Sequence, residues 1–192
     1  MSQEITCFKA YDVRGRIPDQ LNEEIAYRIG RAYAAFLKPK EVVVGYDIRL
    51  SSQQICQALM NGLTDAGVNV SNIGQCGTEE IYFATSHLNM DGGIVVTASH
   101  NPKDYNGMKF VREDSKPISS DTGLKEIKAL AELNDFTLTE NKGETTSIDV
   151  KQAYIEHLIS YIDVSTLKPL KVVCNAGNGG AGLAIDLLEK HL

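Results

Sequence analysis

Short apolar stretches alternate with amphipathic ones along most of this chain, and that alternation constrains its fold more than any other feature. VVVGY at 42–46, a weaker stretch at 68–73, and Ile94-Val95-Val96 after Gly93 read as strands. A strand that is apolar on both faces needs cover on both, and amphipathic helices supply it. Residues 22–37 place Ile25, Ile29, Ala32, Phe36 and Leu37 on one helical stripe, with Glu23 and Glu24 in the first turn, where carboxylates suit the exposed amides. A second helix opens at Ser51 and Gln54, which have capping-box spacing. It carries Ile55, Leu59 and Leu63 and stops at Gly67. Residues 78–87 read as a less regular helix and 108–111 as a further strand. Ser120 or Asp121 is placed to cap a helix through Leu124, Ile127, Leu130 and Leu133. The pattern predicts an α/β fold, a three-layer α/β/α domain with a mixed sheet over residues 1–135. It does not give the strand order.

The composition then turns polar at NDFTLTENKGETTSI, residues 134–148, and the reading places a linker at 136–148. Residues 149–192 read as the incomplete beginning of a second, similar α/β domain. A helix runs through Tyr154, Leu158 and Ile162, a strand covers 170–174, and the turn NAGNGGAG leads into a helix with Leu183, Leu187 and Leu188. One strand–turn–helix cannot bury both faces of a sheet, so further downstream domains are expected. The glycine-rich turn lacks the Gly-Lys-Ser/Thr ending of a phosphate-binding loop and the spacing of a dinucleotide fingerprint. A tight strand–helix connection accounts for it.

Charge narrows the function classes. The chain has 19 Lys and Arg against 25 Asp and Glu, a formal net charge of -6, which leaves no electrostatic footprint for nucleic acid or an anionic membrane. No apolar run reaches the roughly 18 residues of a membrane span. Cys7, Cys56, Cys76 and Cys174 are widely spaced and form no paired-cysteine metal motif. Cys56 and Cys174 sit in apolar stretches and read as buried free thiols. A cytoplasmic location is expected.

The strongest local signal is GGIVVTASHNPKDYNGMK at 92–109. A buried strand gives way abruptly to small and polar residues, and ligands in α/β folds collect beyond the carboxyl ends of strands. A serine there, Ser99, projects its hydroxyl from a rigid support. His100 can donate or accept a proton, Asn101 can orient a ligand, Pro102 stiffens the turn, and Lys109 offers a cation. Each of these residues taken alone has an ordinary structural reading. Ser, Asn, Pro and Gly form turns, Arg14 is a solvated charge after a first strand, and Lys109 is an exposed strand-edge lysine. Asp47 and Arg49 end the strand at 42–46, where a local salt bridge explains both.

Taken together, the segment resembles the active-site serine loop of the α-D-phosphohexomutase family through TASHNP at 97–102 and NGMK at 106–109. FKAYDVRG at 8–15 and VVCNAGNGGAG at 172–182 are similar to two further family elements, in order, so the resemblance runs through nearly the whole chain. It implies that Ser99 carries a phosphoryl group, donates it to a hexose monophosphate, and recovers the other phosphate from a hexose 1,6-bisphosphate intermediate. Arg14 and Lys109 would flank the transfer centre, with Tyr11 and Asn101 binding phosphate or substrate and His100 handling a proton or orienting the serine. Ser99, as phosphoserine, would give one contact to Mg2+. The family's magnesium loop and sugar-recognition groups lie in later domains, so these 192 residues alone are expected to turn over little or no substrate. Asn175 stands where the family usually has an aspartate, which weakens a charged contact between domains. The wording of the motifs is most like the bacterial phosphomannomutase branch, implying mannose 6-phosphate and mannose 1-phosphate on the way to GDP-mannose and polysaccharide. Phosphoglucomutase, phosphoglucosamine mutase and a noncatalytic phosphosugar-binding or assembly fragment are the alternatives.

Overall fold

The computed structural model describes residues 4–137 and 139–192. They fall into two compact units, divided after Ile148. The first contains a six-stranded sheet and four helices: β1 (Val13–Arg16), α1 (Glu23–Leu37), β2 (Glu41–Tyr46), α2 (Ser52–Asp65), β3 (Asn69–Gln75), α3 (Thr78–His87), β4 (Gly92–Val96), β5 (Tyr105–Arg112), α4 (Lys125–Leu133) and β6 (Thr145–Ser147).

The sheet order is β1-β5-β4-β2-β3-β6. β4, β2, β3 and β6 run parallel, whereas β5 is antiparallel to both neighbours. Alternation along the strands divides the apolar residues between two helical layers. Val42, Val44, Ile94 and Val96 join a core with Ile25, Ile29, Tyr33, Ile55, Leu59 and Leu63 from α1 and α2, and Ile127 from α4. The opposite face meets α3: a Cβ at Gly93 would come within 2.3 Å of the Thr85 Oγ1 and 3.1 Å of Ile81. This is a mixed-sheet α/β/α domain, of the α/β class that the periodicity predicts.

Local chemistry explains the helix ends. The Asn22 side chain accepts from the Ile25 amide and caps α1. The capping box expected at Ser51 and Gln54 is absent. Ser51 makes no cap hydrogen bond, and its Oγ instead accepts from Asn106 Nδ2 at 2.8 Å. Neither Ser120 nor Asp121 caps α4. Ser119 accepts from the Asp121 amide and opens a wide turn over Ser120–Leu124 that precedes α4. α1 and α2 pack so closely that a Cβ at Gly30 would lie 2.4 Å from the Leu59 carbonyl oxygen, and one at Gly62 would lie 2.2 Å from that of Tyr27.

Within the polar stretch 136–148, β6 pairs with β3, with Val70 opposite Thr145 and Asn72 opposite Ser147. All three β6 residues are exposed. Backbone pairing therefore makes this edge strand without an apolar signature. Nearby, Arg31 donates to the Thr137 carbonyl at 2.7 Å and lies over the Phe136 ring.

The second unit contains α5 (Lys151–Ile159) and α6 (Gly182–Leu188) with a short helical turn at Val164–Thr166. The strand expected at 170–174 is not formed. Leu170, Val172 and Val173 are exposed, and no strand lies alongside them among the described residues of this unit. A strand is a pairing relation, so apolar sequence without a neighbour stays irregular. α5 also stops before Ile162, and a second α/β domain is not visible within these residues.

Cys7, Cys56 and Cys76 are buried, but Cys174 is exposed, contrary to expectation, because its stretch is unpaired. Burial pushes the Cys7 and Cys56 thiols from 9.0 up to about 12. The unfolded chain therefore loses these protons first as pH rises, and stability that is intact below pH ~9 declines towards pH ~12. Burial of Tyr33 raises its hydroxyl and acts in the same direction. Denaturant midpoints should be flat up to about pH 8 and fall above about pH 9. At about pH 8, iodoacetamide should modify Cys174 in the native protein and leave Cys7 and Cys56 untouched until unfolding. Equal native-state labelling of Cys56 and Cys174 would contradict this.

Candidate functional site

The carboxyl end of β4 and the start of β1 lie level with each other, because Met108 of β5 pairs with both Val96 and Val13. The Thr97 amide donates to the Gly107 carbonyl at 2.9 Å, continuing the β4–β5 ladder one step. Gly107 faces Arg14 on β1. A Cβ on Gly107 would lie 2.1 Å from the Val13 carbonyl oxygen and 3.0 Å from that of Thr97, so glycine lets the two segments close around β5.

Ser99 sits in the turn that follows, exposed, with φ +50. Left-handed backbone costs a side-chain-bearing residue about 1–2 kcal/mol, so the surroundings must hold it. Ser99 Oγ lies 3.4 Å from His100 Nδ1. That separation is long for a hydrogen bond, yet close enough for the imidazole to meet a proton leaving the hydroxyl once a ligand tightens the site. The Asn101 amide donates to the Ala98 carbonyl at 3.0 Å, closing the turn.

Two cations approach from the strands beside the loop. Arg14 lies inside β1, not in a turn after it. Its Nη1 donates to the Ala98 carbonyl at 2.6 Å and its Nη2 to Asp12 Oδ2 at 2.6 Å. Lys109 is on β5, an interior strand of the sheet, so it is not an edge lysine. Its Nζ is 3.9 Å from the same Asp12 oxygen, and its side chain is 31% exposed. Arg14 thus grips the loop through main chain, while Lys109 is the more loosely paired cation. Tyr11 is 77% exposed in the turn leading into β1. Ser99, His100, Asn101, Arg14 and Lys109 are gathered at one end of the sheet.

Asp47 and Arg49, dismissed in the sequence as a local ion pair, are built into this loop. Arg49 Nη1 donates to the carbonyls of Pro102 (2.8 Å) and Tyr105 (3.0 Å), and Nη2 to those of Ser99 and Asn101 (2.6 Å each). Asp47 Oδ2 accepts from Thr97 Oγ1 at 2.7 Å and lies 3.4 Å from Arg49 Nε. Thr97 Oγ1 in turn accepts from the Ser99 amide at 2.9 Å. The missing signal was strand order. β2 and β4 are parallel neighbours, so the residues that follow each share an edge of the sheet. Asp12, between Arg14 and Lys109, was missed for the same reason.

Chemically, this is an exposed hydroxyl on a fixed backbone, with a neighbouring imidazole and cations suited to a dianionic group. The residues do not make a divalent-cation site by themselves. Among the described residues no group of three or more His, Cys, Asp or Glu is placed to hold a metal ion, whereas magnesium takes about six oxygen ligands. The serine oxygen fits as one ligand of such a site. No helix among the described residues is long and apolar enough to cross a membrane.

Residues 6–138 match the family model described as phosphoglucomutase/phosphomannomutase, alpha/beta/alpha domain I. The chain is 61% identical over 194 residues to a phosphomannomutase of Vibrio cholerae serotype O1, covering 98% of this chain and 42% of that protein. It is 57% identical over 189 residues to the phosphomannomutase of Escherichia coli K12, covering 97% and 41% respectively. A crystal structure of a phosphoglucomutase/phosphomannomutase family protein from Burkholderia thailandensis superposes with a TM-score of 0.87 at 36% identity, covering 100% of this chain and 43% of that one. The chain thus spans about two fifths of the length of the relatives it matches.

Proposed function

The chain belongs to the phosphoglucomutase/phosphomannomutase family, and on that premise we propose that the whole protein interconverts mannose 6-phosphate and mannose 1-phosphate with Ser99 as its phosphoryl carrier. The observation that carries this reading is the convergence of Arg14 from β1 and Lys109 from β5 on Asp12, beside the turn that presents Ser99. In the first half-reaction a sugar hydroxyl attacks phosphoserine, the bond from phosphorus to Ser99 Oγ breaks, and the hydroxyl's proton passes to a base at the site. In the second, the bisphosphate presents its other end, Ser99 Oγ attacks that phosphorus, and the sugar oxygen leaves with a proton. Lys109 and Arg14 offset charge on the transferring oxygens, Asn101 and Tyr11 contact substrate phosphate or hydroxyls, and His100 orients Ser99 or moves its proton. A bound magnesium ion would neutralise further charge, with phosphoserine giving one ligand and parts of the protein outside these residues giving the others.

Residues 149–192 are proposed to begin a second α/β domain, with 170–174 becoming a strand when a neighbouring strand pairs with it. The apolar, exposed Leu170, Val172 and Val173 support that reading. Identity to phosphomannomutases over nearly the whole chain favours mannose phosphates over glucose phosphates.

The test is a steady-state comparison of the whole protein on mannose 1-phosphate and glucose 1-phosphate, with magnesium and a catalytic amount of the matching 1,6-bisphosphate. Higher kcat/KM for mannose 1-phosphate is expected. Equal or higher kcat/KM for glucose 1-phosphate would displace the mannose assignment. Absence of turnover on both, and on glucosamine 1-phosphate as a third substrate, would overturn the mutase reading.

A further inference from the structure

Three hydrogen bonds and one ion pair around Ser99 form a closed ring that no catalytic step uses. The Ser99 amide donates to Thr97 Oγ1, Thr97 Oγ1 donates to Asp47 Oδ2, Asp47 pairs with Arg49, and Arg49 donates back to the Ser99 carbonyl. Both backbone polar groups of Ser99, its N–H and its C=O, are thus tied to side chains anchored around β2 and β4. Ser52 Oγ holds the second carboxylate oxygen of Asp47 at 2.5 Å and accepts from Asn106 Nδ2 at 3.0 Å, so the ring is also fastened to α2 and β5.

We propose that Arg49 is a positioning residue of the phosphoryl-transfer reaction, holding Ser99 in its left-handed conformation so that Oγ faces the reacting phosphorus. The inference rests on the mutase reading of the same site. Three observations carry it. Arg49 is half-buried, with its side chain only 12% exposed, and all four of its Nη hydrogen bonds go to main-chain carbonyls within residues 99–105. Four carbonyls converging on one guanidinium require a planar, permanently charged donor, which lysine cannot reproduce. Within residues 99–105, the residue with positive φ is Ser99, whose own carbonyl Arg49 holds. Since its Nη donors are spent on the backbone, Arg49 acts through Ser99 and not on substrate.

The test compares the whole protein with Arg49→Lys, Arg49→Ala and Thr97→Val. Arg49→Lys is expected to lower kcat about 10-fold and Arg49→Ala about 100-fold, the size of loss that follows from roughly 1 Å of misplacement. KM for hexose 1-phosphate should stay within about twofold, and methylguanidinium should restore part of the Arg49→Ala rate. Hydrogen exchange supplies a readout independent of turnover. Peptides spanning 97–104 should exchange at least about 10-fold faster in Arg49→Lys and Thr97→Val, while β2 and α1 exchange as in the parent.

Unchanged exchange at 97–104 in both variants would overturn the proposal. So would a KM increase of 10-fold or more with kcat preserved, which would make Arg49 a substrate contact. If Arg49→Ala does not fold, Arg49→Lys and Thr97→Val decide the question. An inactive parent protein would refute the mutase reading, whereas the exchange data would still judge whether Arg49 and Thr97 hold the loop.

Discussion

Ser99→Ala should lower kcat of the whole protein by about 10⁴-fold or more and abolish the phosphorylated peptide spanning 97–109. Losing a covalent carrier removes the reaction path itself, and losses of that order follow deletion of a nucleophile. Stability should hardly respond. Ser99 is exposed, its hydroxyl meets His100 Nδ1 at a long 3.4 Å, and the Ser99 backbone hydrogen bonds survive the substitution. A change within about 0.5 kcal/mol is expected, as for surface substitutions generally. Ser99→Gly is the instructive companion. It relaxes the positive φ and should unfold no more readily than the parent, yet be as inactive as the alanine variant. Intact-mass and phosphopeptide measurements after incubation with hexose 1,6-bisphosphate check both. Phosphate retained in Ser99→Ala, or activity within about 10-fold of the parent, would remove Ser99 from its role.

Gly107→Ala should damage fold and site together. The new methyl meets the Val13 carbonyl oxygen at 2.1 Å, and that atom belongs to the backbone of the adjacent strand, so no rotamer change can relieve the overlap. β1 must move away from β5, carrying Arg14 and its hold on the Ala98 carbonyl with it. Overpacking of this kind costs about 1–3 kcal/mol. At about 2–4 °C per kcal/mol for a unit of this size, Tm should fall by about 2–12 °C. Displacing Arg14 and the loop should also lower kcat by about 100-fold. Thermal unfolding with parallel kinetics tests the coupling. A Tm within 2 °C of the parent would mean that the strands can separate without strain.

These two expectations mark where sequence reading succeeds and where it stops. The serine was legible as a target because a buried strand ends abruptly in small and polar residues. α1, β2, α2 and β4 were legible because their apolar spacing is strong and local, and α3 was legible on a less regular pattern. β6 was not, since all three of its residues are exposed and only pairing with β3 defines it. The stretch at 170–174 erred the other way, apolar enough for a strand but without a neighbour beside it in its unit. The capping box at Ser51 failed because the Ser51 hydroxyl is taken by Asn106, a residue 55 positions away.

By itself, then, the sequence determined the α/β class, most of the helices and strands, and the identity of the proposed phosphoryl carrier, Ser99. The class and the elements are written in residue type and spacing over a few turns of chain, whereas the role proposed for Ser99 is what the resemblance of TASHNP at 97–102 and NGMK at 106–109 to a family's serine loop implies. Tertiary structure alone decided that β2 and β4 lie side by side and that β1 starts level with the end of β4. Those two adjacencies bring Asp47 and Arg49 around the Ser99 backbone and set Asp12 between Arg14 and Lys109. Such pairings depend on strand order and register, which arise from packing across the whole sheet and leave no local trace in the residues they join.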